Sequence, residues 1–262
     1  MGKPEYAVVE RNLRAAMRFF GQASGCGAIE EREGVLMIDS GVNYAVFNIA
    51  MLTDPVNSLA QLDRRITTAG DWFASRRTRW SQWICEDHVQ PPHRAGVGEV
   101  FHRHNLRPLT EAPGMIASEL QPPDRTLPEI EWRRVASPQT RVEFAHLTTV
   151  CFDIPFVTAQ MIYQPEEAWR GGYQGFIGYA GGKAVSMMAV VVAAECIGIY
   201  SVGTLPEARK HGYAEALMRH VLDDTRERTG PSRILLQATR AGYPMYRKMG
   251  FREVTRFNVY LS

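Results

Sequence analysis

Val202-Gly203-Thr204-Leu205-Pro206-Glu207-Ala208-Arg209-Lys210-His211-Gly212-Tyr213-Ala214 is the stretch on which the reading of this chain turns. The apolar run before it, Cys196 to Val202, reads as a strand. The run after it, Gly212 to Arg228, reads as an amphipathic helix. A basic Arg-Lys-His-Gly loop therefore opens directly into a helix. The N–H groups at such a junction point one way and suit an anionic phosphate. Gly212 lets the backbone approach that anion closely. Further on, Gly242-Tyr243-Pro244-Met245-Tyr246-Arg247-Lys248-Met249-Gly250-Phe251 places Tyr246 on a short helix before a closing strand, Arg252 to Leu261. A phosphate loop and a late phenol point to an enzyme that binds a pyrophosphate-bearing cofactor.

Working outward, Glu131 to Val135 reads as a strand and Pro138 to Phe152 as a helix, with further helix near Thr158 to Glu167. Gln174 to Tyr179 and Lys183 to Val192 form a hairpin through Gly181-Gly182, and Ser232 to Gln237 is a strand. The order β-α-α-β-β-β-α-β-α-β predicts an α/β fold with a mixed sheet and helices on both faces. Upstream, Gln121-Pro122-Pro123-Asp124-Arg125-Thr126-Leu127-Pro128 reads as a linker, because prolines at three of its eight positions suit no interior helix or strand. Before it, helices are expected over Arg11 to Gln22 and Asn57 to Ala74. Strands are expected over Gly34 to Ser40, Tyr44 to Leu52, Trp80 to Cys85 and around Gly114 to Ser118.

The halves on either side of the linker resemble each other. Phe101 to Thr110 lines up with Tyr246 to Thr255 at a constant spacing of 145, and Thr53-Asp54-Pro55 lines up with Thr204-Leu205-Pro206 at 151. On that alignment Ser58, Gln61 and Asp63 face Arg209, Gly212 and Ala214, and Phe101 stands where the second half has Tyr246. The first half is expected to be a copy without chemistry, and the two halves are expected to pack closely as units with a mixed sheet each.

These features resemble the GNAT superfamily of N-acetyltransferases. Arg209-Lys210-His211-Gly212-Tyr213-Ala214 is similar to the family's basic-x-x-Gly-x-Gly/Ala loop for the pyrophosphate of acetyl-coenzyme A, with Ala214 at the last small position. Tyr246 resembles its late tyrosine near the thioester sulfur. The resemblance covers residues 129–262. It implies two GNAT-like acyl-CoA N-acyltransferase domains in tandem, a degenerate one over 1–120 and a catalytic one over 129–262. It implies acetyl-CoA as acetyl donor, held by Val202, Gly203, Thr204, Arg209, Lys210, His211, Gly212, Tyr213 and Ala214, with Tyr246 catalytic. The acceptor is then a primary amine of a small molecule or peptide. The alternative is a non-catalytic CoA-binding regulatory or interaction protein. No general base is assigned: Glu143, Asp153 and Glu195 are carboxylates of the right half and nothing more.

Composition narrows the rest. A formal net charge of +2 and acidic residues flanking most Arg pairs argue against nucleic acid as a partner. Cys26, Cys85, Cys151 and Cys196 lack zinc-ligand spacing, and no metal is expected. The longest apolar run, Val185 to Ala194, is too short to cross a bilayer. A cytoplasmic enzyme, monomer or homodimer, is the expectation. Trp72, Trp80, Trp83, Trp132 and Trp169 read as core or interdomain packing, with the lining of an acceptor pocket as the alternative, for which Trp169, in a glycine-flexible connection of the second half, is the leading candidate.

Overall fold

The computed structural model of the chain describes residues 4–262. Two runs of similar element order follow one another, the second with an extra strand and a second helix at its start. The first is α1 (Glu5–Ala23), β1 (Ala28–Arg32), β2 (Val35–Asp39), β3 (Ile49–Leu52), α2 (Leu59–Arg76), β4 (Ser81–Cys85), α3 (Val97–Arg103) and β5 (Arg107–Ala117). The second is β6 (Glu131–Arg134), α4 (Pro138–Phe152), α5 (Phe156–Tyr163), β7 (Tyr173–Ala180), β8 (Lys183–Ala193), β9 (Cys196–Thr204), α6 (Tyr213–Thr229), β10 (Ile234–Gln237), α7 (Tyr243–Lys248) and β11 (Arg252–Leu261). The repeat expected from sequence is thus a repeat of architecture. Its 145-residue spacing recurs in the starts of β5 and β11.

The two units do not close separate sheets. All strands form one eleven-stranded mixed sheet in the order β1-β2-β3-β4-β11-β5-β10-β9-β8-β7-β6. The units exchange their last strands. β11, from the second, pairs with β4 of the first through Phe257↔Cys85 to Leu261↔Ser81. β5, from the first, pairs with β10 of the second through Ala117↔Ile234 to Gly114↔Gln237. β5 and β11 also pair with each other along most of their length. Length explains the outcome: at 11 and 10 residues these strands outrun their neighbours and satisfy backbone groups on both sides. Two α/β units are present, as expected, but joined by main-chain hydrogen bonds rather than by side-chain packing of two sheets.

Alternation across the sheet decides what covers each face. Leu36 and Ile38 of β2 and Met187, Ala189 and Val191 of β8 point toward α1, α4 and α5. Val35, Met37, Met188 and Val190 point toward α2, α3, α6 and α7. α1 packs on β2 of its own unit and on β8 and β9 of the other, so its apolar face spans the seam. Asn12, fully buried on that helix, donates from Nδ2 to the carbonyls of Val191, Ala193 and Cys196 (2.8–3.3 Å), closing the β8–β9 turn onto the first unit. Gly198 makes room for it, since a Cβ there would stand 1.9 Å from Asn12 Oδ1. β1 and the whole of β5 before Gly114 escape sequence reading. β1 is half-exposed and charged, and the first five residues of β5 are all exposed.

Candidate active site

β9 and β10 run parallel through Ile197↔Ile234, Gly198↔Leu235 and Ile199↔Leu236, and then part. A bulge causes the parting. Between Ala189↔Tyr200 and Met187↔Gly203, β9 spends one residue more than β8, and Ser201 takes the left-handed region at φ 48°. The backbone from Tyr200 to Thr204 bends away from β10 and leaves its edge open on that side. Gly203 is required here because α4 sits against it: a Cβ would stand 2.9 Å from Cys151.

The expected phosphate loop follows. Arg209 Nε donates to Thr204 O (3.1 Å), Lys210 lies at φ 67°, and Gly212 caps α6 at φ 96°. Arg209, Lys210 and His211 are exposed, and no side chain caps α6. The N–H groups of its first turn, Tyr213 and Ala214 among them, have no intrahelical acceptor. The linker reaches this loop, which its sequence did not announce. Arg125 donates to Lys210 O (2.9 Å), while Pro128, Arg125 and Leu127 surround Gly212. Gln121 N to Met249 O, Arg219 to Gln121 O and Lys248 to Asp124 fasten the rest of it along α6 and α7.

The first unit treats the same place differently. α2 starts 154 residues before α6, not 151, so Ser58 corresponds to Gly212, correcting the pairing with Arg209. Ser58 Oγ accepts from Gln61 N (3.1 Å) and Gln61 Oε1 accepts from Asn57 N (2.8 Å), a reciprocal cap that uses up the helix terminus. Asp63 lies beyond it on the surface, where Arg103 and His104 hold its carboxyl below the usual range. β3 and β4 begin to part after Met51↔Trp83, but Val56 N donates to His88 O (2.8 Å) in a second parallel bridge, Val56↔Val89. That cleft is stitched shut. Phe101, the counterpart of Tyr246, is fully buried against Tyr260.

In the second unit the parting opens into a cavity of about 180 Å³ between the units. Tyr200, Ser201 and Val202 of β9 and Gln237 of β10 form one side, and Tyr246 lies in its wall. Met17 and Phe20 of α1 and Trp83 of β4 bring the first unit to the same space. Burial raises the phenols of Tyr173, Tyr200 and Tyr246, keeping each protonated far above neutral pH. Tyr173 and Ser201 share a hydrogen bond (2.7 Å), and Gln237 Nε2 is buried without a partner. Glu143, Asp153 and Glu195 are absent from the lining. Glu143 accepts from Tyr179 (2.5 Å), Asp153 ends α4 and Glu195 lies in the β8–β9 turn. Trp169 is core, donating to Tyr163 O (2.8 Å), and Trp83 is the tryptophan that reaches the cavity. Among the described residues no cluster of His, Cys, Asp and Glu suits a metal, and no helix is long and apolar enough to cross a membrane.

Residues 141–251 match the sequence profile of the acetyltransferase (GNAT) family. No curated protein matches the chain. Among solved structures, a GCN5-related N-acetyltransferase from Kribbella flavida is similar over 100% of this chain and 96% of its own, at 16% identity and a TM-score of 0.72. A GCN5-related N-acetyltransferase from Sphaerobacter thermophilus covers 100% and 93% at 15% identity and a TM-score of 0.59. A tandem GNAT protein from the clavulanic acid biosynthesis pathway covers 90% and 83% at 11% identity and a TM-score of 0.57. The splayed strands and the loop lie inside the residues that match the profile, and the chain has the mixed α/β fold of these GNAT structures, with the unit repeated in tandem.

Proposed function

We propose that the protein transfers acetyl from acetyl-CoA to a primary amine, in the second unit alone. The units are taken as 1–120, degenerate, and 129–262, catalytic. The observation that carries this reading is the contrast between the helix termini. α6 is uncapped behind a basic loop and Gly212, while α2 is capped by Ser58 and its cleft is bridged. The pyrophosphate is received by the N–H groups of His211 to Ala214, with Arg209 and Lys210 adding charge. Arg125, at the same loop, joins them. The open edge of β9 from Tyr200 to Thr204, which includes Val202 and Gly203, pairs with the amides of the pantetheine arm and leads the thioester to the cavity.

There the amine nitrogen attacks the carbonyl carbon, the N–C bond forms, and the C–S bond breaks. The Gln237 amide, otherwise unpaired, donates to the carbonyl oxygen as charge builds on it. Tyr246, which lies in the wall of that cavity and is protonated at neutral pH, donates its proton to the departing thiolate. Orientation supplies most of the rate. The test is calorimetric titration with acetyl-CoA: one site per chain, lost in Gly212→Glu and kept in Ser58→Ala. Two sites, or Gly212→Glu binding as well as the native protein, overturns the reading. Tight binding with no turnover of any amine leaves a CoA-binding regulatory protein instead.

A further inference from the structure

The cavity that receives the thioester also receives the acceptor, and its wall is chemically one-sided. Among the described residues that line it there is no Asp, Glu, Lys, Arg or His. The α1 and β4 side is Ala16, Met17, Phe20 and Trp83, and Phe152, Tyr173 and Ile199 continue it. Its polar side-chain atoms are hydroxyls, the Gln237 amide and the Trp83 indole nitrogen, none of them charged, and Tyr200 and Tyr173 are engaged with Asn12 and Ser201. An ammonium or carboxylate placed here is desolvated with no opposite charge to meet it, a cost of several kcal/mol.

A second observation lies outside. Phe152 lines the cavity yet is 39% exposed. It ends α4 at the corner with α5, where Val150, Phe156, Val157 and Met161 are exposed too. Five of the eight large apolar side chains exposed among the described residues thus stand on this corner, and one of them leads into the cavity.

We propose that the acceptor is a small ring-bearing monoamine with no second charged group, taken into the cavity in its neutral form past Phe152. The inference rests on the acetyl-CoA reading of the second unit. It also accounts for the absence of a carboxylate base. The neutral amine forms the N–C bond, Tyr246 gives its proton to the thiolate as the C–S bond breaks, and the proton lost from the amine nitrogen passes to the Tyr246 oxygen and restores the phenol. The step balances with no further base.

The experiment uses the full chain with acetyl-CoA and four probes: benzylamine, aniline, putrescine and glycine. Thiol release should give kcat/KM for the two ring amines above putrescine and glycine by roughly tenfold or more, the scale set by burying an unpaired charge. With benzylamine, kcat/KM should climb about tenfold per pH unit toward the amine's own pKa, because only the neutral form is used. With aniline it should be flat across neutral pH. Phe152→Asp, at a half-exposed position that tolerates charge, should shift the preference toward putrescine. Calorimetry of benzylamine against the CoA-loaded protein gives a readout that needs no turnover. Putrescine or glycine as the better substrate, a benzylamine profile governed by a group other than the amine, or no benzylamine binding to the loaded protein each overturns the proposal. Failure of acetyl-CoA itself to bind is a different result, and sinks the parent reading.

Discussion

Tyr200 donates its hydroxyl proton to Asn12 Oδ1 at 2.6 Å, tying β9 of the second unit to α1 of the first. Asn12 answers with its Nδ2 donors on three carbonyls of the β8–β9 turn. The cavity wall in the second unit is therefore set by a residue of the first. Asn12→Ala leaves the Tyr200 hydroxyl without its acceptor and takes one donor from each of those carbonyls. It should cost about 2–4 kcal/mol by chemical denaturation, since orphaned buried polar groups cost about 1–3 kcal/mol each and only some find water. Acceptor KM should rise with it, because Tyr200 loses its anchor, while acetyl-CoA affinity should hold. A loss of stability below about 0.5 kcal/mol would show that the two units do not depend on this contact.

The linker is predicted to serve the cofactor. Arg125 donates to Lys210 O and faces Gly212, at the head of α6. Arg125→Ala should weaken acetyl-CoA binding by roughly tenfold, the worth of one charge-assisted hydrogen bond, and should flatten the salt dependence of binding. Lys248→Ala removes the neighbouring ion pair with Asp124, which is exposed on both sides, and should change little. Equal effects of the two substitutions would mean that the strap as a whole, rather than the Arg125 guanidinium, matters.

Two buried groups of the first unit should leave opposite marks on the pH dependence of stability. Burial pushes Glu10 up to about 7, even with Arg14 beside it at 2.7 Å, and pushes His88 down to about 4. For Glu10 the folded protein holds a proton that the unfolded chain releases between pH 4.5 and 7, so its contribution falls as pH rises through that window. For His88 the unfolded chain holds the proton between pH 4 and 6.5, so its contribution falls as pH drops. Glu10→Gln should gain on the native protein as pH rises from 4.5 to 7, by about 3 kcal/mol in all at 1.36 kcal/mol per pKa unit. Its own stability should then rise with pH over the His88 window. A difference between the two proteins that does not change with pH would show that Glu10 ionises normally in the fold.

Much of this was legible in the sequence, for physical reasons. The second unit is read well because its strands are buried on both faces or alternate cleanly, as in Lys183–Ala193, and because Gly212 and Gly230 mark both ends of α6. The positions of the loop before α6 and of Tyr246 on α7 were legible because a strand-loop-helix junction with Gly212 and a short helix before a closing strand are local patterns. The strand exchange left none: nothing within Arg252–Leu261 says which β-strand it will pair with, since partner choice is decided by non-local hydrogen bonds. The loop alignment between units slipped by three residues because Thr53 and Thr204 match in type, while the helix starts, Leu59 and Tyr213, do not. Asn12 and Arg125 were missed, and Trp83 was read as packing, for one reason. Each acts in a unit, or from a linker, distant in sequence from the motif it serves. A serine-capped α2, Ser58-x-x-Gln61, was the one local signal that the first helix terminus was already occupied.

Tyr246→Phe is the most direct test of the chemistry. The ring packs edge-on against Phe251 and lies over Gly242, where a Cβ would stand 2.8 Å from Tyr246 Cε2, so the ring position is held by contacts that phenylalanine keeps. No hydrogen bond fixes the hydroxyl among the described residues, so its removal leaves no protein group unpaired. Stability should therefore change by less than about 0.5 kcal/mol. Acetyl-CoA affinity should also hold, because the contacts proposed for the pyrophosphate lie at α6. Turnover should fall by roughly 10²–10⁴-fold, the range for loss of a general acid. An acetyl donor with a more acidic leaving thiol needs less protonation and should recover part of that loss in the variant but gain little in the native protein. Full turnover in Tyr246→Phe would leave acetyl transfer standing and assign the proton to another group, and unchanged sensitivity to the leaving thiol would place the tyrosine outside the step in which the C–S bond breaks.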